Sequence, residues 1–229
     1  MGNSSYTCRL EYYWMEAFMS TSREKKILSM MLMQDAINRQ IDEDWAEKGR
    51  EWYRAIWIEC AELMEHYGGW KWWKKDHPDM EQVLLEIVDI WHFGLSDLLV
   101  TDSNRDLVAA SVTADWYNKK KGGNFHDAVE SLAQACLSTK RFPVGEFGAI
   151  LRACDISFDN LYHFYVGKNV LNRFRQDYGY KTGGYIKDWN GKEDNEGLSE
   201  ILMNSSFSAD NLETQIYAEL ESIYIKIIK

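Results

Sequence analysis

Two pairs of carboxylates, set at the same spacing on two apolar stretches, constrain most strongly what this chain can fold into. Glu59 and Glu62 lie in Ile58-Glu-Cys-Ala-Glu-Leu63, and Glu86 and Asp89 lie in Leu85-Glu-Ile-Val-Asp-Ile90. An i, i+3 spacing puts both members of a pair on one helix face, about 60° apart around the axis. The first face also carries Trp52, Ala55, Ile56 and Leu63, and the second carries Val83, Ile90 and Phe93. One such pair alone is ordinarily a solvated surface. Two pairs on apolar faces are different, because four inward acids lose hydration and repel one another unless something compensates them. A hard divalent cation does so. Oxygen-only ligands, with no matching Cys or His set, select Mg²⁺, with Mn²⁺ as the alternative, over Zn²⁺.

The rest of the composition suits long helices around such a site. Only Pro78 and Pro143 interrupt the 229 residues, so most of the chain is free to be helical, and no strand pattern persists. A length of this order gives one domain, or one with an inserted mobile helical lobe. The expected division is an N-terminal extension over 1–20 and a single domain over 21–229. A net charge of −10 argues against a nucleic-acid polymer or an anionic membrane surface as partner. Cys8, Cys60, Cys136 and Cys154 are scattered without a CxxC pair, as expected of reduced thiols. No apolar run reaches membrane-span length, and residues 1–6 lack the features of a signal peptide, so a cytoplasmic protein is expected.

Along the chain, residues 9–19 suggest a short aromatic-rich helix or arm. Thr21-x-x-Glu24 reads as a capping box, followed by an apolar stripe through Ile27, Met31, Ile41 and Trp45. Gln34 and Asn38 interrupt that stripe in helical phase. Two inward amides need partners, either neighbouring backbone or a ligand edge that offers both donors and acceptors, such as a nucleobase. The next helix spans about 50–67 and stops at Gly68-Gly69; Asp76-His-Pro-Asp79 starts the helix of the second acid pair. Helices are predicted over 104–120, 125–139 and 145–166, and a last one, capped by Asp210 with Glu213, runs to about Ile228.

One segment stands out in an acidic chain. Gly167–Gln176, Gly179–Tyr185 and Lys187–Asn195 gather Lys168, Arg173, Arg175, Lys181, Lys187 and Lys192 among glycines and aromatics. Such a stretch reads either as a solvated surface loop or as a Gly-rich basic loop that brings N–H groups and cations to phosphate oxygens. Beside a carboxylate–metal centre, the second reading makes a machine for Mg²⁺-bound phosphates.

These pieces resemble a known family. Gln34-Asp-Ala-Ile-Asn38, Glu59-Cys-Ala-Glu-Leu63, Trp70-Lys-Trp-Trp-Lys74, Glu86–Phe93, Gly167–Gln176, Gly179-Tyr-Lys181 and Trp189–Asn195 are similar to motifs of the dimeric all-α dUTPases, within the MazG-like nucleotide pyrophosphatases. The EXXE…EXXD pattern points to the superfamily, and the C-terminal block points to the dUTPase branch. The resemblance implies an all-α bundle of the NTP pyrophosphatase type with a C-terminal Gly-rich basic loop. It implies that Glu59, Glu62, Glu86 and Asp89 hold Mg²⁺ on the triphosphate, with Glu59 as the base for a water attacking the β-phosphorus of dUTP, and dUDP as a further substrate. It places Gln34, Asn38, Trp70 and His92 around the nucleoside. Lys168, Asn172, Arg175, Lys181, Tyr185 and Asn195 then close over phosphates and sugar, and a homodimer is implied as well.

Two rival readings stay open at this stage. Rotatable amides leave the base undecided, so a helical pyrophosphatase for dCTP or another dNTP fits too. Asp89-Ile-Trp-His92 is one acid-x-x-His unit of a ferritin-like di-iron protein, although Glu62-Leu-Met-Glu65 lacks the second His.

Overall fold

A computed structural model describes residues 4–117, 123–204 and 211–228, with side chains described from residue 22 onward except that of Tyr117. Among these, nine α-helices and no strand are present: α1 (Ser4–Ile41), α2 (Trp52–Tyr67), α3 (Met80–Thr101), α4 (Arg105–Tyr117), α5 (Phe125–Thr139), α6 (Val144–Ala153), α7 (Phe158–Asp177), α8 (Asp194–Asn204) and α9 (Leu212–Ile227). The all-α expectation holds.

The centre is α3. Its sequence is apolar almost all round, and Val83, Leu85, Ile87, Val88, Ile90, Trp91 and Leu95 are all buried, as befits a helix surrounded by others. Asp79 caps it by accepting from the Gln82 N–H at 3.2 Å, leaving Pro78 outside the first turn. α2 ends where Gly68 takes φ 71°, a left-handed geometry that disfavours residues with a Cβ. α2 and α3 lie antiparallel: His66 near the end of α2 reaches Glu86 near the start of α3, and Trp52 stacks on Phe93 at 6.2 Å. This pairing brings the two acid pairs face to face. α5 packs on α2 and α6 on α5, while α1 and α7 cover the other side of α3 and α9 packs on α7.

Four expectations need correction. α1 runs unbroken through residue 21, so Thr21 starts no helix, and residues 9–19 belong to the same helix. That helix ends at Ile41, so Trp45 is buried from a turn beyond it, held by its indole N–H donating to Asp35 at 3.0 Å, while Ile41 is exposed. The helix expected over 145–166 is two, because Asp155 takes a left-handed φ of 55° and Ser157 caps α7 by accepting from the Asn160 N–H at 3.1 Å. Gly167–Gln176 is helix, not loop: it forms the second half of α7. Gly167 serves close packing there, since a Cβ would stand 2.6 Å from Leu202 Cδ1 on α8. Asp210 lies outside the described residues; α9 begins after Asn211.

Candidate active site

The faces of α2, α3 and α7 enclose a cavity of about 760 Å³. α2 contributes Glu59, Glu62 and His66, α3 contributes Gln82, Glu86, Asp89 and Phe93, and α7 contributes Lys168, Asn172 and Arg175. On α7 these three fall at i, i+4 and i+7, one helix face. Asp79, Tyr180, Lys187, Glu193, Asn195 and Glu196 complete the wall. All four predicted acids are therefore brought together, with Lys168, Asn172, Arg175 and Asn195.

Carboxylate oxygens of Glu59, Glu62 and Glu86 lie within 4.8 Å of one another, close to the span of about 4.2 Å across an octahedral Mg²⁺ ion. Asp89, one turn beyond Glu86, is drawn aside: its Oδ2 accepts from Lys168 Nζ at 2.8 Å. Burial pushes the Glu59 carboxyl up to about 9, and the neighbouring Asp89, Glu86 and Glu62 charges add to this. Glu59 accordingly keeps a proton at neutral pH and donates it to Glu86. Burial, followed by the Asp89 charge, also holds Glu86 above the usual carboxylate range. Acids that must protonate to coexist are a donor set short of positive charge. All are oxygen ligands, so the set fits a hard cation.

Each cation on the cavity wall has a carboxylate partner. Lys168 is paired with Asp89, Lys187 with Glu193 at 3.0 Å, and Arg175 with Asp194. The last pair is bidentate: Arg175 Nε donates to Asp194 Oδ2 and Nη2 to Oδ1, both at 2.7 Å. Arg175 also donates from Nη1 to Asn172 Oδ1 (3.1 Å) and from Nη2 to Asn195 Oδ1 (3.2 Å). Tyr185 donates its hydroxyl to Asp194 at 2.8 Å. Asp194 is wholly buried and opens α8.

The segment before α8 is built for this anchoring. Asn190 (φ 60°) and Gly191 (φ 88°) make a tight turn that pairs Asp188 with Glu193, and Trp189 and Tyr185 are buried against Tyr224 of α9.

A family model described as dUTPase matches residues 26–180, well over half of the chain. The chain belongs to the dUTPase family. It is thus an enzyme of dUTP hydrolysis, a dUTP diphosphatase. No curated protein matches the chain at a significant level. The matched span holds both acid pairs, Gln34, Asn38, Lys168, Asn172 and Arg175, and stops short of Lys181, Tyr185 and Asn195. No helix among the described residues is long and apolar enough to cross a membrane.

Other predicted residues of this dUTPase lie off the acidic cavity. Gln34 and Asn38 are buried in a closed network between α1, α3 and α7. Gln34 Nε2 donates to Asn38 Oδ1 at 3.0 Å and to Ser96 Oγ at 3.2 Å, and Asn38 Nδ2 donates to Ser96 Oγ at 2.9 Å. Tyr165 donates its hydroxyl to Gln34 Oε1 at 3.1 Å. His92 stacks on Tyr165 at 4.4 Å and donates from Nδ1 to the Val88 carbonyl at 2.9 Å. Its buried Nε2 has no protein partner. Burial brings this imidazole down to about 4, so it is neutral, and it stands apart from the converging acids, unlike a di-iron ligand.

Trp70 is exposed on the loop after α2, with the Lys71 ammonium 4.9 Å from its ring, and Lys181 Nζ donates to the Ile41 carbonyl at 2.9 Å. Sequence reasoning missed His66 and Asp194. A search one turn beyond Glu62 finds the first; the second stands as a lone acid amid the basic segment.

Proposed function

We propose that this dUTPase cleaves dUTP to dUMP and pyrophosphate in the acidic cavity, with Mg²⁺ held by Glu59, Glu62, Glu86 and Asp89. The observation that carries this is the convergence of three carboxylates within 4.8 Å of one another, where burial first and the neighbouring acid charges second hold Glu59 protonated. An ion held there would neutralise charge on phosphate oxygens and lower the pKa of a nearby water.

With a cation supplying the missing positive charge, Glu59 would be ionised and would serve as the general base that takes a proton from the water attacking the β-phosphorus. Glu62 and Glu86 remain ligands. Lys168 and Arg175 face the same cavity and stabilise charge that builds on the transferring and leaving phosphates. Asn172 and Asn195 orient the Arg175 fork and offer amide N–H groups to the nucleotide. The same site takes dUDP, whose shorter phosphate chain keeps the bond under attack.

Base choice rests with Gln34, Asn38 and His92. The network around Gln34 and Asn38 fixes both amides in one orientation. Neutral His92 presents an unpartnered acceptor at Nε2. Uracil offers a donor at N3, whereas cytosine offers a second lone pair there, so uracil satisfies that acceptor and cytosine leaves it unpaired. Trp70, Lys181 and Tyr185 join the nucleotide through movement of the segments that carry them. Leu32, Trp57 and Ile58 are large apolar side chains on the outer faces of α1 and α2, and they support a homodimer, to be checked by light scattering. Free Cys60, Cys136 and Cys154 suit the cytoplasm.

Pyrophosphate release from dUTP, dCTP, dTTP, dATP and dGTP with Mg²⁺ tests this reading. The expected kcat/KM favours dUTP over dCTP by at least about a hundredfold, or about 2.7 kcal/mol. Equal values for dUTP and dCTP would overturn the base assignment.

A further inference from the structure

Three of the four acids, buried Glu86, half-buried Glu59 and exposed Glu62, converge, and the fourth does not. Asp89 stands one turn from Glu86 on the same helix, yet it lies outside the group formed by Glu59, Glu62 and Glu86. What holds it is Lys168, whose side chain is 4% exposed and whose Nζ lies 2.8 Å from Asp89 Oδ2. A metal ligand candidate and a phosphate-binding candidate therefore occupy each other. Both cannot serve a nucleotide while that bond stands. The backbone beneath Lys168 is locked, because Gly167 packs directly on Leu202. The ammonium sits at the end of a flexible four-carbon stem, so only the side chain need move.

We infer that Lys168 is an exchangeable counter-ion for Asp89. Without nucleotide it occupies Asp89 and the chain offers one cation site, at Glu59, Glu62 and Glu86. When a triphosphate enters the cavity that Lys168 lines, the ammonium transfers to an oxygen of the triphosphate, whose total negative charge exceeds that of one carboxylate. Asp89 is then free to coordinate, and a second cation binds beside the first, as in sites that clamp attacking and leaving oxygens together. The arrangement keeps the second ion out until substrate is present. This inference rests on the carboxylate–metal reading above.

Mn²⁺ binding to the full chain, followed by electron paramagnetic resonance with and without the non-hydrolysable analogue α,β-imido-dUTP, tests it. The wild type is expected to bind one ion per chain without nucleotide and a spin-coupled pair with it. Lys168→Met is expected to bind two ions without nucleotide, and adding Asp89→Asn to that variant returns the count to one. A wild type that binds two ions unaided, or a folded Lys168→Met that binds one, overturns the exchange while leaving the metal site intact. No Mn²⁺ in the wild type, with or without nucleotide, overturns the metal reading and this inference together. The wild-type comparison decides the matter even if the variant does not fold.

Discussion

Replacing Glu59 by Gln should make the metal-free protein more tolerant of alkaline pH. In the folded chain burial raises the Glu59 carboxyl from 4.5 to about 9. Between those values the folded state keeps a proton that the unfolded state has lost, so stability falls as pH rises through the window. From pH 4.5 to pH 8 the full loss would be about 4.8 kcal/mol, at about 1.36 kcal/mol per unit. Partial solvent contact screens this carboxyl and reduces the loss to about 2 kcal/mol.

The amide that Glu59→Gln introduces cannot ionise, yet it can still donate to Glu86, so the variant lacks this slope. For a chain of this size, about 2 kcal/mol corresponds to about 4–8 °C in Tm. Thermal melts by circular dichroism in EDTA, from pH 5 to pH 8, should show the wild-type Tm falling by that much more than the variant's. Saturating Mg²⁺ should remove most of the difference, because the wild type gains a counter-charge and the variant loses a ligand. Parallel Tm–pH curves in EDTA would refute the claim that Glu59 is held protonated.

Glu62→Gln and Asp89→Asn should each lose most turnover with Mg²⁺ while helical circular dichroism stays intact, since removing a ligand also relieves repulsion; near-normal turnover would remove that residue from the ligand set. Asp194→Ala should lower stability in urea by about 3–5 kcal/mol, because it strands the Arg175 charge that Asp194 now pairs. A loss below about 1 kcal/mol would show that the pair is solvated. Asn38→Ala should narrow the preference for dUTP over dCTP more than it weakens Mn²⁺ binding, because it removes a fixed amide from the Gln34–Ser96 network; an unchanged ratio would place the base elsewhere.

What the sequence made legible was local and periodic. The acid pairs could be placed on helix faces because both stretches are bounded by strong signals, Gly68 after α2 and Asp79 before α3. Their convergence follows from the antiparallel packing of α2 on α3, with Glu86 buried, Glu59 and Asp89 half-buried and Glu62 exposed. The break between α6 and α7 was missed because Ser157 is a modest capping signal inside an otherwise helical pattern, and the left-handed turn at Asp155 has no glycine to mark it.

Gly167 misled more seriously. A glycine beside lysine and arginine reads as loop, whereas here it permits close contact with Leu202 within a helix. Charge pairing was the least legible part. Lys168 and Arg175 looked available to phosphate, and only the packing of α3, α7 and α8 shows each already bonded to an acid. The self-contained Gln34–Asn38–Ser96–Tyr165 network was hidden for the same reason, since its partners are distant in sequence.

The most direct test of the central claim is anomalous diffraction from crystals soaked with Mn²⁺ and α,β-imido-dUTP. The expected result is manganese bonded to Glu59, Glu62 and Glu86, with a second manganese at Asp89 and the triphosphate between the ions and Lys168 and Arg175. A nucleotide bound without manganese at these carboxylates, or manganese bound elsewhere, would contradict it.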